Sequence, residues 1–445
     1  MAVNWRQMGR SNGIGLTLRR FVASTHNVQC GGAMGAAVPI PNCRFSTARE
    51  HPSDAVQGVQ SMLPVTALRE EEAMMRDAAA RFAAEQVAPH VRRMDDECVM
   101  DPSIISGLFE NGFMGVEIGE QYGGCGGSFT SALLVVEELA RVDPAVSVMV
   151  DIHNTIVNNC FSAWASEPLK STWLPRLASD CLGSFCLSEA GSGSDAFALR
   201  TRAERRQDGY VLNGEKMWIS NSAEAGVFLV MANAAPGDGY RGITCFVVPR
   251  DTPGLTVGKK EDKLGIRASS TCTVRLENVE VPESAVLGEV GKGYRYAIEI
   301  LNEGRIGIGA QMVGLAQGAL DLTLPYLHER RQFGSAVADF QGVQHQVAQM
   351  ATDLHAARLL VYDAARLKES GKPFVKEAAM AKLFSSQVAE RVASRCVELM
   401  GGVGFTKDYG VEKLYRDAKI GAIYEGTSNI QLNTIAKLIS SLYKQ

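Results

Sequence analysis

Glu425 is the residue of this 445-residue chain whose type and setting best suit acid–base chemistry. Apolar residues precede it, and Gly426 follows it directly, where the missing side chain lets a ligand approach the backbone. Removal from water disfavours the charged form of a carboxylate and makes it a stronger base. The segment therefore predicts a general base. The alternative is that Glu425 belongs to the first turn of the last helix, with Thr427 or Ser428 as its N-cap.

A second stretch suited to binding chemistry is the glycine-rich run 191–196, which matches the GxGxxG/A pattern of dinucleotide-binding loops. That motif requires a helix directly after it, yet Leu199, Thr201 and Ala203 alternate as in a strand. We therefore reject a Rossmann fold. The backbone N–H groups of the run and the hydroxyl of Ser194 can still bind an anion such as a pyrophosphate.

The elements that must position these residues fall into three regions. Apolar spacing typical of helices runs through residues 67–180 and returns from Tyr294 onward, whereas residues 182–287 follow the two-residue period of strands. Glu70, Glu71 and Glu72 suit the positive end of the first helix. The other predicted helices cover 103–110, 128–141, 144–163, a long stretch from 294, 341–370 and 376–400.

The central region contains the predicted strands. Asn213-Gly214 between apolar runs predicts a type I′ hairpin turn. Because no long helices separate the strands, we expect an antiparallel sheet. The predicted strands are 210–212, 215–220, 227–231, 244–248, 255–257 and 271–281. The order helical, β, helical predicts an α+β protein, with domains at 51–181, 182–288 and 289–445.

The first 49 residues differ in composition from the rest of the chain. They contain six arginines, no lysine and no acid before Glu50, which predicts a mitochondrial transit peptide over residues 1–50 and a location in the matrix. A disordered tail is the alternative. Subtracting these six charges from the whole-chain net charge of −4 leaves −10 for residues 50–445, which argues against nucleic-acid binding.

Cysteine spacing and hydropathy exclude other classes of protein. The ten cysteines form no CxxC pair, so neither a metal site nor a disulfide framework is predicted, and a reducing compartment fits. No apolar run reaches the ~18 residues needed to cross a membrane, so we expect no membrane partner.

Five motifs, in order, resemble those of the acyl-CoA dehydrogenases, FAD enzymes of fatty-acid and branched-chain amino-acid breakdown. The resemblance covers the chain from about Val65 to its end and implies a C-terminal four-helix bundle, a homotetramer and electron-transfer flavoprotein as partner. The motifs are FCLSEAGSGSD at 185–195, KMWISN at 216–221, ERRQFG at 329–334, ELMGG at 398–402 and IYEGTSNIQ at 423–431.

The resemblance implies which residues contact the FAD. Arg330 and Gln341 match the pair that reaches the FAD of a neighbouring subunit, and a planar guanidinium suits a diphosphate. For Trp218 the alternative is plain strand packing, and for Gly401 and Gly402 it is a helix C-cap. The other implied contacts are Phe185, Leu187, Ser188, Gly193, Ser194, Ile219, Ser220, Glu398, Leu399, Met400, Thr427, Ser428 and Asn429.

The implied reaction is α,β-dehydrogenation of an acyl-CoA thioester. Glu425 takes the α-proton while a hydride leaves the β-carbon for the flavin, and the backbone N–H of Glu425 donates to the thioester carbonyl. The resemblance favours short, branched substrates, 2-methylbutanoyl-CoA first, with isobutyryl-, butyryl- and isovaleryl-CoA as alternatives. The implied substrate contacts are Ser194, Tyr240, Tyr294, Asn302, Glu303, Gly304, Arg305 and Gly426.

A rival base and two rival functions remain at this stage. Some relatives place their glutamate at the position of Gly304, and Glu303 lies one residue earlier, where one helical step turns a side chain by about 100°. We therefore hold Glu425 as the base and expect Gly304 to leave space for an α-methyl group. The rival functions are an acyl-CoA oxidase and a non-catalytic acyl-CoA-binding scaffold.

Overall fold

The computed structural model describes residues 64–444, and the predicted transit peptide lies outside them. The N-terminal part is helical: α1 (Glu70–Phe82), α2 (Val91–Glu97), α3 (Pro102–Glu110), α4 (Phe129–Val142), α5 (Pro144–Asp151), α6 (Asn159–Trp164) and α7 (Glu167–Ser179). The helix starts follow local rules. Asp101 caps α3 by accepting a hydrogen bond from Ser103 N at 2.8 Å, and Ser128 caps α4 by accepting one from Ser131 N at 3.0 Å.

The single helix predicted over 144–163 is interrupted. It begins and ends close to the expected residues, but α5 and α6 are joined by a π-helical segment, Ile152–Asn158. Such wider turns change which side chains share a face, and they occur often at functional sites. Asp151, the last residue of α5, lies directly before this segment.

Strands begin after α7 and form one eight-stranded sheet. They are β1 (Gly183–Cys186), β2 (Arg202–Arg206), β3 (Gly209–Ser220), β4 (Val227–Asn233), β5 (Ile243–Pro249), β6 (Leu255–Lys260), β7 (Thr271–Pro282) and β8 (Val286–Leu287). Their order is β6-β7-β3-β2-β4-β5-β8, with β1 beside β4. The expectation of a purely antiparallel sheet is wrong, because β1 and β2 both run parallel to β4. Because β2 and β3 are antiparallel, β3 ends on the side of the sheet where β2 begins. The chain enters β4 from that same side, so β4 runs parallel to β2.

The predicted hairpin at Asn213-Gly214 is also wrong. Both residues lie inside β3, and the turn falls instead at Gln207-Asp208, between the paired residues Arg206 and Gly209. Asn213 Oδ1 accepts a hydrogen bond from Asn278 N at 2.8 Å, and the pairing of β3 with β7 shifts register there. The Asn-Gly pair therefore forms a bulge, a second use of residues that tolerate unusual backbone geometry.

The C-terminal part is helical again: α8 (Gly293–Glu329), α9 (Gln341–Glu369), α10 (Val375–Met400), α11 (Val411–Ala418) and α12 (Ser428–Tyr443). A small hairpin of β9 (Arg331–Gln332) and β10 (Ser335–Ala336) joins α8 to α9. Side chains added at Gly314 and Gly318 would meet the carbonyls of Glu137 and Arg141, so these glycines let α8 pack closely on α4. The first and last helical regions therefore share one apolar core.

No helix among residues 64–444 combines the length and hydropathy needed to cross a bilayer.

Candidate active site

Glu425 lies in a tight turn just before α12. Its φ is +50°, in the left-handed region, and that of Gly426 is +87°. A non-glycine residue in that region is uncommon and often marks a functional constraint. Thr427 is the N-cap of α12, accepting a hydrogen bond from Ile430 N at 3.4 Å. The N-cap part of the alternative is therefore confirmed, whereas Glu425 itself stands outside the helix.

Two buried side chains stabilise this turn by hydrogen bonds to its backbone carbonyls. Gln431 Nε2 donates to the carbonyls of Glu425 and Gly426, at 3.0 and 2.9 Å. Lys382 Nζ on α10 donates to the carbonyl of Gly426 at 2.8 Å. One helical turn later, Ser386 Oγ donates to Gly421 O at 2.9 Å. Sequence reasoning missed these residues, and the available signal was two polar residues spaced four apart among the apolar positions of an amphipathic helix.

One oxygen of the Glu425 carboxylate is buried, although the residue as a whole is half-buried. This oxygen, Oε2, is shielded from solvent and accepts no hydrogen bond from the described residues. Burial raises the pKa of Glu425 to about 7, although the nearby charges of Arg305 and Lys382 oppose this rise. A carboxylate with a pKa near neutral is a better base than one in water, and a large share of it is still ionised near pH 7.

Gly304 of α8 lies directly against this carboxylate. A Cβ added there would lie 3.0 Å from Glu425 Oε2 and 3.1 Å from Ile156 Cδ1. The expected space for an α-methyl group is therefore already filled by Glu425 and Ile156. The glycine instead makes room for the base itself.

Glu303 points elsewhere. Its Oε2 accepts a hydrogen bond from Asn159 Nδ2 at 2.8 Å and pairs with Lys368 Nζ at 3.0 Å. Lys368 also pairs with Glu117 at 3.2 Å. This polar cluster is separate from Glu425, as the angular step from Gly304 leads one to expect.

Arg305 and Asn302 border the site on the same helix. Arg305 Nη1 donates to Asn302 Oδ1 at 2.7 Å, but its Nε is buried without an acceptor among the described residues. Burial lowers the pKa of Arg305 against the attraction of Glu425. The guanidinium thus lies within electrostatic reach of the Glu425 carboxylate and retains an unused donor.

Asp151 is a second enclosed carboxyl group near the base, which sequence reasoning did not single out. Its Oδ2 has no partner among the described residues, and its Oδ1 accepts a hydrogen bond from Thr155 Oγ1 at 3.1 Å. Burial, and then the charge of Glu425, raise the pKa of Asp151 well above its usual range. It lies over Gly307, one turn from Gly304 on α8, where a side chain would collide with it. The raised pKa favours the neutral, protonated form of Asp151.

Tyr240 and Tyr294 are brought together, although they lie on different elements. Their rings pack edge to face at 5.1 Å between centroids, and Phe197 completes the cluster at 6.4 Å from each. Phe197 follows Ser194 in the glycine-rich loop, so the cluster joins this loop to the start of α8. Phe197 was not among the predicted site residues.

The segment after β1 is held by a buried ion pair. Lys216 Nζ of β3 contacts Glu189 Oε1 at 2.9 Å and Leu187 O at 3.1 Å. Ser188 O accepts a hydrogen bond from Met217 N at 2.9 Å. Leu187 is buried, Phe185 and Ser188 are half-buried, and Gly193 and Ser194 are exposed. The end of β1 is therefore rigid, while the glycine loop beyond it is open.

Trp218 does not pack as an ordinary strand residue. It is 56% exposed, has a φ of +63° and lies where the register between β3 and β7 is broken. Ile219 beside it is buried, and Ser220 O accepts a hydrogen bond from Ser184 Oγ at 2.7 Å. Strand packing is thus the wrong explanation, and an exposed indole one residue from Met217, which is bonded to Ser188, suits a planar ligand.

The remaining predicted cofactor residues lie at helix ends. Gly401, with a φ of +64°, is the C-cap of α10, and a side chain added at Gly401 or Gly402 would meet no atom within 4 Å. Glu398 pairs with Arg395 on the surface, Leu399 is half-buried and Met400 is buried. Ser428 and Asn429 begin α12, after the Thr427 cap.

Arg330 and Gln341 are exposed and distant from Glu425 within one chain. Arg330 caps the C-terminus of α8, 26 residues after Gly304. At 1.5 Å per residue the helix carries it roughly 39 Å away. Gln341 begins α9 on the far side of the small hairpin.

These features together define a class of protein. The family's N-terminal, middle and C-terminal acyl-CoA dehydrogenase domains match residues 69–180, 184–279 and 291–440. The chain belongs to the acyl-CoA dehydrogenase family of oxidoreductases, and FAD is its cofactor. Members of this family dehydrogenate acyl-CoA thioesters with FAD and use electron-transfer flavoprotein as electron acceptor.

Individual members of the family show which proteins this chain resembles in sequence and structure. The mitochondrial short/branched chain specific acyl-CoA dehydrogenase of Rattus norvegicus is 59% identical over 380 residues, covering 85% of this chain and 88% of the relative. The structure of butyryl-CoA dehydrogenase from Megasphaera elsdenii has a TM-score of 0.83 at 37% sequence identity. The match covers 84% of this chain and 99% of the other chain. The structure of the acyl-CoA dehydrogenase of Bacillus anthracis, solved with FAD, has a TM-score of 0.80 at 31% sequence identity. The match covers 86% of this chain and 69% of the other chain.

Proposed function

We propose that this enzyme dehydrogenates short, α-branched acyl-CoA thioesters, with 2-methylbutanoyl-CoA as the favoured substrate and Glu425 as the base. The observation that carries the proposal is the Glu425 carboxylate, whose buried Oε2 has no partner among the described residues. Similarity to the rat short/branched chain specific acyl-CoA dehydrogenase, at 59% identity, supports the substrate class.

Glu425 acts with two of its own groups. Its carboxylate removes the α-proton, and a pKa raised to about 7 by burial suits that transfer. Its backbone N–H donates to no acceptor among the described residues, so it is free to bind the thioester carbonyl, where negative charge develops. Bound FAD supplies the acceptor for the β-hydride. Arg305 and Lys382 keep the base ionised before the transfer.

The residues that hold FAD are assigned by fit and by family. Phe185, Leu187 and Ser188 border the flavin on one side, and Trp218, Ile219 and Ser220 on the other. The open backbone at Gly193, the Ser194 hydroxyl and the N-terminus of α12 at Thr427, Ser428 and Asn429 offer hydrogen-bond donors to the cofactor. Ser194, Tyr240, Tyr294, Asn302, Arg305 and Gly426 contact the substrate.

The same assignment implies an oligomer. Arg330 cannot reach the FAD beside Glu425 of its own chain, because α8 separates them by roughly 39 Å. Arg330, Gln341, Glu398, Leu399, Met400, Gly401 and Gly402 therefore hold the FAD of a neighbouring subunit in a homotetramer. The enzyme works in the mitochondrial matrix with electron-transfer flavoprotein, consistent with the rat relative and the arginine-rich start.

The test of the base compares Glu425→Gln with Glu303→Gln. The amide is nearly isosteric but cannot accept a proton, so Glu425→Gln keeps its FAD absorbance and loses dye-linked turnover. Glu303→Gln changes the same chemical group in the Lys368 cluster and retains most of its turnover. If Glu425→Gln kept more than a few per cent of wild-type kcat, Glu425 would not be the base.

The substrate assignment is tested by kcat/KM for 2-methylbutanoyl-, isobutyryl-, butyryl- and isovaleryl-CoA. One methyl group in an apolar pocket discriminates by about 1–3 kcal/mol, so butyryl-CoA should react roughly 10- to 100-fold less well. A clear preference for isovaleryl-CoA would overturn the substrate assignment but would leave the proposed reaction class unchanged. Peroxide formation at a rate equal to turnover would identify an oxidase, and absence of dye reduction would identify a scaffold.

A further inference from the structure

Lys382 is an unusual residue for the interior of a helical bundle. It is completely buried on α10, and its Nζ donates to the carbonyl of Gly426 at 2.8 Å. Among residues 64–444 it forms no direct ion pair with a carboxylate. Burying an ammonium group without such a partner is costly. A lysine at this position therefore needs a reason beyond packing, since a methionine would fill the same volume.

The charged and titratable groups around Lys382 come from several elements. Glu425 acts on it from the turn before α12, and Arg305 from α8. Asp151, from the end of α5, and Tyr424 also lie within the electrostatic reach of Glu425. The raised pKa of Asp151 favours its neutral form, and the Tyr424 hydroxyl bonds to Gln311, so the charges that oppose the effect of burial on Glu425 are those of Arg305 and Lys382.

We propose that Lys382 is a positioning residue for the base: it fixes the left-handed turn through Gly426 O, and its positive charge keeps the Glu425 carboxylate ionised. This inference rests on the proposed role of Glu425. The tether matters because Glu425 has a φ of +50°, a backbone conformation that relaxes unless its surroundings hold it. The charge matters because Lys382 is one of only two cations among the described residues, with Arg305, that oppose the effect of burial on the carboxylate.

Glu425 and Lys382 lose their protons in a definite order as pH rises. Burial raises the pKa of Glu425 to about 7 and lowers that of Lys382 to about 8. Glu425 loses its proton on the acid side while Lys382 still carries its charge. Above pH 8 the ammonium becomes neutral and its pull on the base weakens. Both forms of the lysine can donate to Gly426 O, so the tether outlasts the charge.

The experiment replaces Lys382 by Met, which removes both tether and charge, and by Arg, which keeps the charge. Lys376→Met on the same helix is the matched control, because Lys376 lies nearer the surface and pairs with Glu377 at 3.0 Å. The readouts are the pH profile of kcat and the exchange of α-protons of acetyl-CoA with deuterated water. Acetyl-CoA has no β-carbon, so the exchange reports the base without dehydrogenation.

For Lys382→Met we expect the acid limb of both profiles to move to higher pH by about one unit or more, because an opposite charge has been removed. Lys382→Arg and Lys376→Met should keep the wild-type limb. An unchanged limb in Lys382→Met would overturn the charge role. Where Lys382→Met does not fold, Lys382→Gln decides by the same shift, since its amide retains a donor and has no charge.

Failure of this inference differs from failure of the proposed function. If Glu425→Gln still exchanges α-protons, Glu425 is not the base, whatever Lys382 does. If Glu425→Gln abolishes exchange while Lys382→Met or Lys382→Gln shows a wild-type profile, the base stands and Lys382 is merely structural.

Discussion

A Cβ added to Gly304 of α8 would lie 3.0 Å from Oε2 of Glu425, a residue that comes 121 positions later in the chain. The contact places the carboxylate proposed as the base against bare helix backbone. Ile156 closes the other side of the same space, with its Cδ1 at 3.1 Å from that Cβ position. The long helix therefore sets the position of the base, although the base itself belongs to the turn before α12.

Gly304→Ala should impair catalysis without unfolding the enzyme. The new methyl group would press on Glu425 and Ile156, and small displacements of catalytic groups can cost about 100-fold in rate. We expect kcat to fall roughly 10- to 100-fold while FAD stays bound, measured by dye-linked turnover and flavin absorbance. Gly342→Ala on α9 is the control, since nothing lies within 4 Å of its added Cβ. Wild-type kcat in Gly304→Ala would contradict the contact.

The pH dependence of kcat/KM follows from the raised pKa of the Glu425 carboxylate. Burial raises the pKa of Glu425 to about 7, and only the ionised form accepts a proton. Activity should therefore rise with pH through about 7 and fall about tenfold for each unit below it. Steady-state kinetics from pH 5 to 8 check this. A profile flat down to pH 5 would show that the carboxylate is not desolvated in the working enzyme.

Arg330→Ala should weaken FAD binding and assembly together. The guanidinium is exposed at the end of α8, and a bidentate contact to a diphosphate on a neighbouring subunit would be lost. Sedimentation with and without added FAD measures both effects. Arg206→Ala is a useful control, because that arginine pairs with Glu204 at the surface of β2 and is not assigned to the cofactor. A fully FAD-loaded tetramer of Arg330→Ala would exclude the cross-subunit contact.

Lys413→Met should destabilise the fold. Lys413 Nζ contacts Asp143 Oδ1 at 2.8 Å and Asp417 Oδ2 at 2.6 Å, and both acids are fully buried. Removing the ammonium leaves two carboxylates unpaired, which costs about 3–5 kcal/mol in the free energy of unfolding. Urea denaturation measures this cost.

The loss in Lys413→Met should grow with pH. Burial raises the pKa of Asp417 even beside Lys413, and removing the ammonium raises it further. The protonated form of Asp417 is therefore tolerated at low pH, and stability is lost as pH rises through its folded pKa. Lys407→Met is the control, because its pair with Asp96 is on the surface and should contribute under about 1 kcal/mol. An equally small loss in Lys413→Met would contradict the buried network.

The sequence by itself determined the local features of this protein. Apolar periodicity predicted the helical, β, helical order, because each element must bury one face. The setting of Glu425 before Gly426 marked a candidate base, and the five motifs identified the family. Ser128 and Asp101 cap their helices because capping depends only on neighbours in the chain.

Tertiary structure decided what depends on residues distant in sequence. The Asn213-Gly214 pair has turn chemistry, but pairing with β7 absorbs it as a bulge. The parallel neighbours of β4 follow from where the chain re-enters the sheet. The environment of Glu425 is assembled from α5, α8 and α10, so its raised pKa and its neighbours Asp151 and Lys382 left no local pattern. Burial and charge at a site are sums over long-range contacts, and only the fold brings those contacts together.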